Sequence, residues 1–420
     1  MSDDHNTLRN IAWKDLCPWF LILRVFRLAL SPSVLLLASL GTLLTPIGWG
    51  LAEKLLGEQE AAPPAIMVFP ALDCPLLDWS DVPQMRPAEL VTQAWHTNVG
   101  GVYALFAQPL TQMLDRQATF RGFTHGALVG LWNLAVWALF AGAITRIAVV
   151  QLGRDERVGL RDSLQFALQR YGWNVAAPLF PLAGVVACVI PMAILGALMR
   201  FDVGVLLGGL LWGLALLAGL IMAVFLISLA LGWPLMWPAI SCEESGDAFE
   251  AFSRSFAYTL HRPLNYLLYA AITVGIGLIG WLLVWAFASV TMETTYWAAS
   301  WGAGSARVEQ IAAGLQDKSG LLWCGTGLIR CCELVVRVLA TGFNHAFFWC
   351  AASAVYLCLR RDVDRTEFDE VFLPEEQHGS PLPSPHIAPA PASDTVASSS
   401  TGIGAEAAGD AASDTPSDVN

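Results

Sequence analysis

Long runs without charge alternate along this chain with short segments where charge returns. The longest lies between Asp202 and Glu243, and its stretch from Val203 to Trp233 reads VGVLLGGLLWGLALLAGLIMAVFLISLALGW. A helix rising about 1.5 Å per residue crosses the hydrocarbon core of a bilayer in about 20 residues, so this run predicts a spanning helix with length to spare. Comparable runs predict the others, giving spans at about 28–52, 126–150, 174–199, 203–233, 264–290 and 338–359. The expected fold is all-α: a polytopic transmembrane helical bundle of about six spans. Proline punctuates it. Pro46 is expected to kink or end the first span, and Pro178, Pro181 and Pro191 to kink or break the third. The fourth is expected to stop at Pro234 and Pro238.

Between the runs the pattern turns amphipathic. Residues 11–27, IAWKDLCPWFLILRVFR, mix Trp and Phe with Lys and Arg, which suits an interfacial segment at the headgroup level. Residues 1–27 are read as a cytoplasmic and interfacial lead-in, and 28–361 as the membrane domain. Two long loops, 57–125 and 291–329, are placed on the exterior face. Within the first, a helix can begin near Pro87, interrupted by Gly100 and Gly101. Its Tyr103, Phe106 and Leu110 then lie on the membrane surface or pack against the spans. Residues 362–420 form an acidic cytoplasmic tail rich in Pro, Ser and Ala, expected to be disordered from about 374 for want of anything to bury.

Composition sharpens the class. Of the 420 residues only 14% are charged, against about 25% in an ordinary soluble protein. The net charge of -12 offers no basic surface for phosphates, which argues against a nucleic-acid partner. Nine cysteines are scattered, with a vicinal pair at Cys331 and Cys332 and no C-x-x-C, so neither structural zinc nor a thioredoxin-like site is expected. The start lacks the basic-then-apolar layout of a cleaved signal, and the first span is expected to direct insertion. Arginines and lysines crowd the span ends at 9–27, 154–170, 254–262 and 360–365. That bias puts both termini in the cytoplasm of an inner membrane.

DSLQFALQRYGW, between the second and third spans, resembles EAFSRSFAYTLHRP between the fourth and fifth. Ser163, Phe166 and Ala167 fall on Ser253, Phe256 and Ala257, which suggests a parallel duplication. PAISCEESGDAFEAFSRSFAYTLHRPLNYLL also resembles the cytoplasmic link of several families of bacterial multi-span proteins with no assigned activity. In those families an acidic-small stretch leads into an Arg-Ser helix, matched here by Ser253, Arg254 and Ser255. RVFRLALSPSVLLLASLG resembles membrane proteins of planctomycete-like bacteria. The resemblance spans roughly residues 20–360. It implies a membrane address and brings no catalytic residues.

No motif for nucleotide binding, a zinc protease or a hydrolase elbow occurs. No catalytic residue, metal ligand or cofactor is therefore assigned. The polar groups at depth or at the boundary are Asn133, Arg146, Glu333, Arg337 and His345. Asn133 can bond across helices, Arg146 can snorkel, and Glu333 can pair with Arg337 four residues on. His345 reads as a neutral bonded histidine or a proton relay. Gly204, Gly208, Gly209, Gly213, Ala215 and Gly219 put small residues on the fourth span, allowing close helix approach within the bundle or between protomers. Expected partners are the lipid bilayer and other membrane proteins or a second copy. Two functions are carried forward: a non-enzymatic scaffold, assembly or envelope-organising component, and a transporter or permease subunit for a small solute. A lipid-acting enzyme would need His96 or His125 to find a partner.

Overall fold

A backbone withdrawn from water must satisfy its N–H and C=O groups within its own segment, and uncharged runs therefore emerge as helices. The computed structural model describes residues 20–57, 92, 95–96, 98–115, 119–313 and 320–373, and it is helical without strands among them. The expected interfacial residues 11–19, most of the loop after Gly57 and the acidic tail from residue 374 lie outside the described residues.

Eleven helices are described. They are α1 (Phe20–Ala29), α2 (Pro32–Leu56), α3 (Val99–Leu114), α4 (Phe120–Gly153), α5 (Leu160–Gln169) and α6 (Tyr171–Leu198). Then come α7 (Asp202–Cys242), α8 (Ala248–His261), α9 (Pro263–Ala303), α10 (Ser305–Ala313) and α11 (Leu321–Asp364). The long ones, α2, α4, α6, α7, α9 and α11, alternate in direction. Five of them, α2, α4, α6, α7 and α9, are long and apolar enough to cross a membrane.

The sixth expected span differs in kind. Helix α11 packs against α1, α2, α3, α4, α7, α8 and α9. Every residue from Thr341 to Arg360 is buried. It is a central post that meets protein all round, which is why it can carry Asn344, His345 and Ser353 where a lipid-facing helix would not. At the opposite extreme is the α6–α7 hairpin, where only 11% of each apolar window is buried inside the protein.

The prolines do not end helices where expected. Pro46 sits inside α2, Pro178, Pro181 and Pro191 inside an unbroken α6, and Pro234 and Pro238 inside α7, which runs on to Cys242. A neighbouring side chain explains Pro178 below. The chain does break at Leu30–Ser31, and Pro32 opens α2 where its missing N–H costs nothing.

The loop before the second span holds another departure. Gly100 and Gly101 lie in the buried first turn of α3, just after a turn at Asn98. Helix α3 packs on α4 and α11, its Tyr103 against Trp233 and Phe348 and its Phe106 against Trp237 and Trp349. Of the two placements expected for these rings, packing against the spans is the one adopted. In the second loop, α9 continues to Ala303 and α10 follows directly.

The two links compare at a different register in the structure. Arg170 ends α5 and begins α6, and Arg262 does the same between α8 and α9. Ser163 and Ser255 are both buried, each hydroxyl donating to the carbonyl three residues earlier at 2.9 Å. The matching shift is therefore 92, from Ser163 to Ser255, not to Ser253 as the letters suggest. At that shift Phe166 falls on Tyr258, and both are buried.

Candidate functional site

Polar groups at depth are held in several separate places. Pro109 has no N–H for the Leu105 carbonyl, and Asn133 of α4 supplies the replacement, its amide donating at 2.9 Å. Pro178 likewise deprives the Asn174 carbonyl, and the Trp237 indole donates to it at 2.8 Å. The Asn174 amide donates in turn to Ala138 at 3.0 Å. Donors from neighbouring helices thus repair the backbone, letting α3 and α6 continue through proline.

Arg146 does not snorkel to open water. It is 3% exposed, its guanidinium donates to the Ser241 carbonyl at 2.7 Å, and it lies 4.2 Å over the Phe166 ring. Arg146 therefore ties α4 to the end of α7 and to α5. His345 stacks on Trp137 with centroids 4.2 Å apart, and the Trp137 indole donates to Thr45 at 3.1 Å. Glu333 and Arg337 lie together at 3.8 Å on α11, beyond the buried part. The closer partner of Glu333 is Tyr296 of α9, whose phenol donates to it. His125 is buried edge-on to Trp49, and His96 is exposed.

The densest charge cluster closes the end of the bundle formed by α5, α8 and the last turns of α7 and α11. Glu243, capping α7, receives Arg360 at 3.1 Å, Arg254 at 3.3 Å and the Tyr356 hydroxyl at 3.1 Å on one carboxylate oxygen. Arg254 also reaches Glu250 at 2.8 Å and Asp364 at 3.5 Å. Tyr258 donates to Asp364, while Asn265 and Tyr269 each donate to Asp362 at 2.8 Å. Burial alone would lower the Arg254 guanidinium, but its hydrogen bond to Tyr258 and the charge of Glu243 outweigh that and raise it. Burial, reinforced by the bond to Asp364, raises the Tyr258 phenol.

Residues 365–373 complete this end. Arg365 adopts a left-handed φ of 61° and turns the chain back across it. The Glu370 carbonyl accepts from Arg360 at 2.6 Å, and the Phe372 N–H donates to the Cys242 carbonyl at 3.1 Å, satisfying an end carbonyl of α7. Val371 is buried, and Phe368 lies over the last residue of α4, where Gly153 leaves room for its backbone. Sequence reasoning used Arg254 and Arg360 for orientation alone and passed over their pairing with Glu243 and Asp364. The available signal was the return of opposite charges at the ends of successive uncharged runs.

The small residues of α7 divide in two. Gly204 and Gly208 meet the turn at Leu198 and Met199, whereas Gly209, Gly213 and Gly219 face open space. Among the described residues no group of three His, Cys, Asp or Glu side chains is arranged to hold a metal. No protein-family model, curated protein or solved structure matches this chain.

Proposed function

We propose that the protein is a non-enzymatic scaffold or assembly component of a bacterial inner membrane, with both termini in the cytoplasm. One observation carries this reading. Three of the polar residues that could have served a transported solute are hydrogen-bonded to separate structural partners, Asn133 to Leu105, Arg146 to Ser241 and Glu333 to Tyr296, while His345 is stacked on Trp137 apart from them. They support different helix pairs and do not converge on one pathway. The arginine-rich ends of the uncharged runs support the orientation. The surface left for partners is the apolar α6–α7 hairpin, with Gly209 and Gly213 open on it.

Photo-crosslinking residues placed at Leu206, Leu210 and Leu214 test this in native membranes. Discrete protein adducts at a subset of these positions are expected. Lipid adducts alone at all three, together with saturable uptake of a solute by proteoliposomes of the purified protein, would replace the scaffold with the transporter.

A further inference from the structure

Contacts between helices fix the depth at which lipid meets each of them. The His345 ring stacks on Trp137, and the Asn174 amide donates to the Ala138 carbonyl, so α11, α4 and α6 are level at these residues. From Asn174 outward, α6 runs about 36 Å to Leu198 with apolar side chains exposed along it. The same length of α11 leads from His345 back to Leu321. The outer half of α11 therefore lies in the same lipid belt as the α6–α7 hairpin. Helix α9 lies there with it, since the Tyr296 phenol donates to Glu333. Trp297, Trp301 and Trp323 are exposed toward the outer end of the two helices, where a membrane interface favours aromatic rings.

Two charges of opposite sign stand exposed in this belt. Glu293 of α9 precedes Tyr296 by three residues, and Arg330 of α11 precedes Glu333 by three. Among the described residues neither Glu293 nor Arg330 has an ion-pair or hydrogen-bond partner. Arg337, by contrast, is paired with Glu333. Because α9 and α11 run antiparallel, equal offsets from the facing Tyr296 and Glu333 put both free charges on one side of the helix pair. That side also carries Val290, Trp297, Gly327 and Leu334, all exposed, and a Cβ added at Gly327 would meet open space.

A charge among lipid chains is costly unless another group meets it. The depths of Glu293 and Arg330 differ by about 9 Å, which extended arginine and glutamate side chains can bridge together. A face that offers one charge of each sign in this way is complementary to itself. A two-fold axis along the membrane normal preserves depth, and it brings Glu293 of one copy to the partner's Arg330 and the reverse. A different protein would have to supply both an acid and a base at matching depths.

We propose that the side of the α9–α11 pair bearing Val290, Glu293, Gly327, Arg330 and Leu334 is the contact between two copies of this chain in the membrane, closed by two reciprocal Glu293–Arg330 ion pairs. This contact is separate from the small residues of α7 and does not depend on the scaffold reading.

Charge reversal tests it in native membranes, with two differently tagged full-length copies co-expressed and their co-purification measured. Wild-type copies should co-purify, and copies that stay apart would overturn the proposal outright. Arg330→Glu sets like charges against each other at both pairs, and so does Glu293→Arg. Each should lower self-association by at least about tenfold. One copy of each variant restores opposite charges at both pairs, so co-purification should return. Pairing within a single copy cannot produce that recovery, because in either variant its own two charges are alike. Self-association untouched by either reversal, or loss without recovery in the mixture, would overturn the reciprocal pairing. Gly327→Cys keeps both charges and guards against a folding defect. With Cys17, Cys74, Cys188, Cys324, Cys331 and Cys332 replaced by serine, oxidation should cross-link two copies through Gly327→Cys and not through Leu214→Cys on α7. The opposite pattern would move the contact to α7 and overturn the assignment.

Discussion

Asn133 shows how a single side chain can be conspicuous while its purpose stays hidden. An amide in an apolar run is an obvious candidate for function, but its partner is a carbonyl that Pro109 sets free on another helix, and nothing in the local pattern links the two. Asn133→Leu should destabilise the protein by about 1–3 kcal/mol, the cost of leaving a buried polar group unmet. In a Pro109→Ala background, where the N–H returns to Leu105, the same change should cost much less. Equal losses in detergent-phase melting would show that Asn133 does something other than replace that N–H. Tyr258 gives a second residue-scale expectation. Its phenol is raised by burial and by Asp364, so the folded state keeps the proton where the unfolded chain begins to release it. The stabilisation is complete below the ordinary tyrosine value of 10.0 and is lost as pH climbs above it. Melting temperatures measured across that range should fall with pH, and Tyr258→Phe should flatten the fall. An unchanged slope would remove Tyr258 from the ion-pair cluster.

At the scale of elements, the uncharged runs marked which segments become long helices, because freedom from charge over about 20 residues has few other uses. Their ends were harder to place. Proline is normally a stop signal because it removes an N–H, and α6 and α7 continue through it, with the indole of Trp237 replacing the bond lost at Pro178. Helix α3 was obscured for a different reason: it is short, follows a Pro-rich acidic segment, and is buried by α4 and α11 rather than by lipid. Glu333 and Arg337 were legible as a pair from their spacing, but Tyr296 was not, being the contribution of another helix. The two partners should differ in weight. A helix-surface pair at 3.8 Å is worth about 0.3–0.5 kcal/mol, whereas a hydrogen bond to a charged group is worth about 1.5–3 kcal/mol. Double-mutant cycles should therefore show stronger coupling for Glu333→Gln with Tyr296→Phe than for Glu333→Gln with Arg337→Gln. The reverse order would mean that α11 stabilises this region alone and that α9 is not fastened to it.

Across the whole molecule, two α–short α–α units, α4–α5–α6 and α7–α8–α9, run in the same order at a shift of 92 residues, and each turns on an arginine. Their short helices, α5 and α8, therefore lie at the same end of the bundle. Residues 365–373 join them there, held by Arg360 and by the Cys242 carbonyl. Arrangement by charge along the chain and arrangement by contact in space meet at this end, since two of the arginines used for the expected orientation, Arg254 and Arg360, are gathered into the Glu243 cluster. The agreement yields a prediction for the intact protein. Cysteines introduced at Arg157 and Arg365 should be reached by an impermeant maleimide only after the membrane is opened, in a background whose Cys17, Cys74, Cys324, Cys331 and Cys332 are serine. Cysteines at Phe201, in the α6–α7 turn, and at Ser305, at the start of α10, should be labelled in sealed cells. Exchange of the two patterns would invert the orientation and leave the fold standing. Labelling of Arg157→Cys without Arg365→Cys in sealed cells would separate α5 from the end of α11, and the common end of the two units would then be wrong.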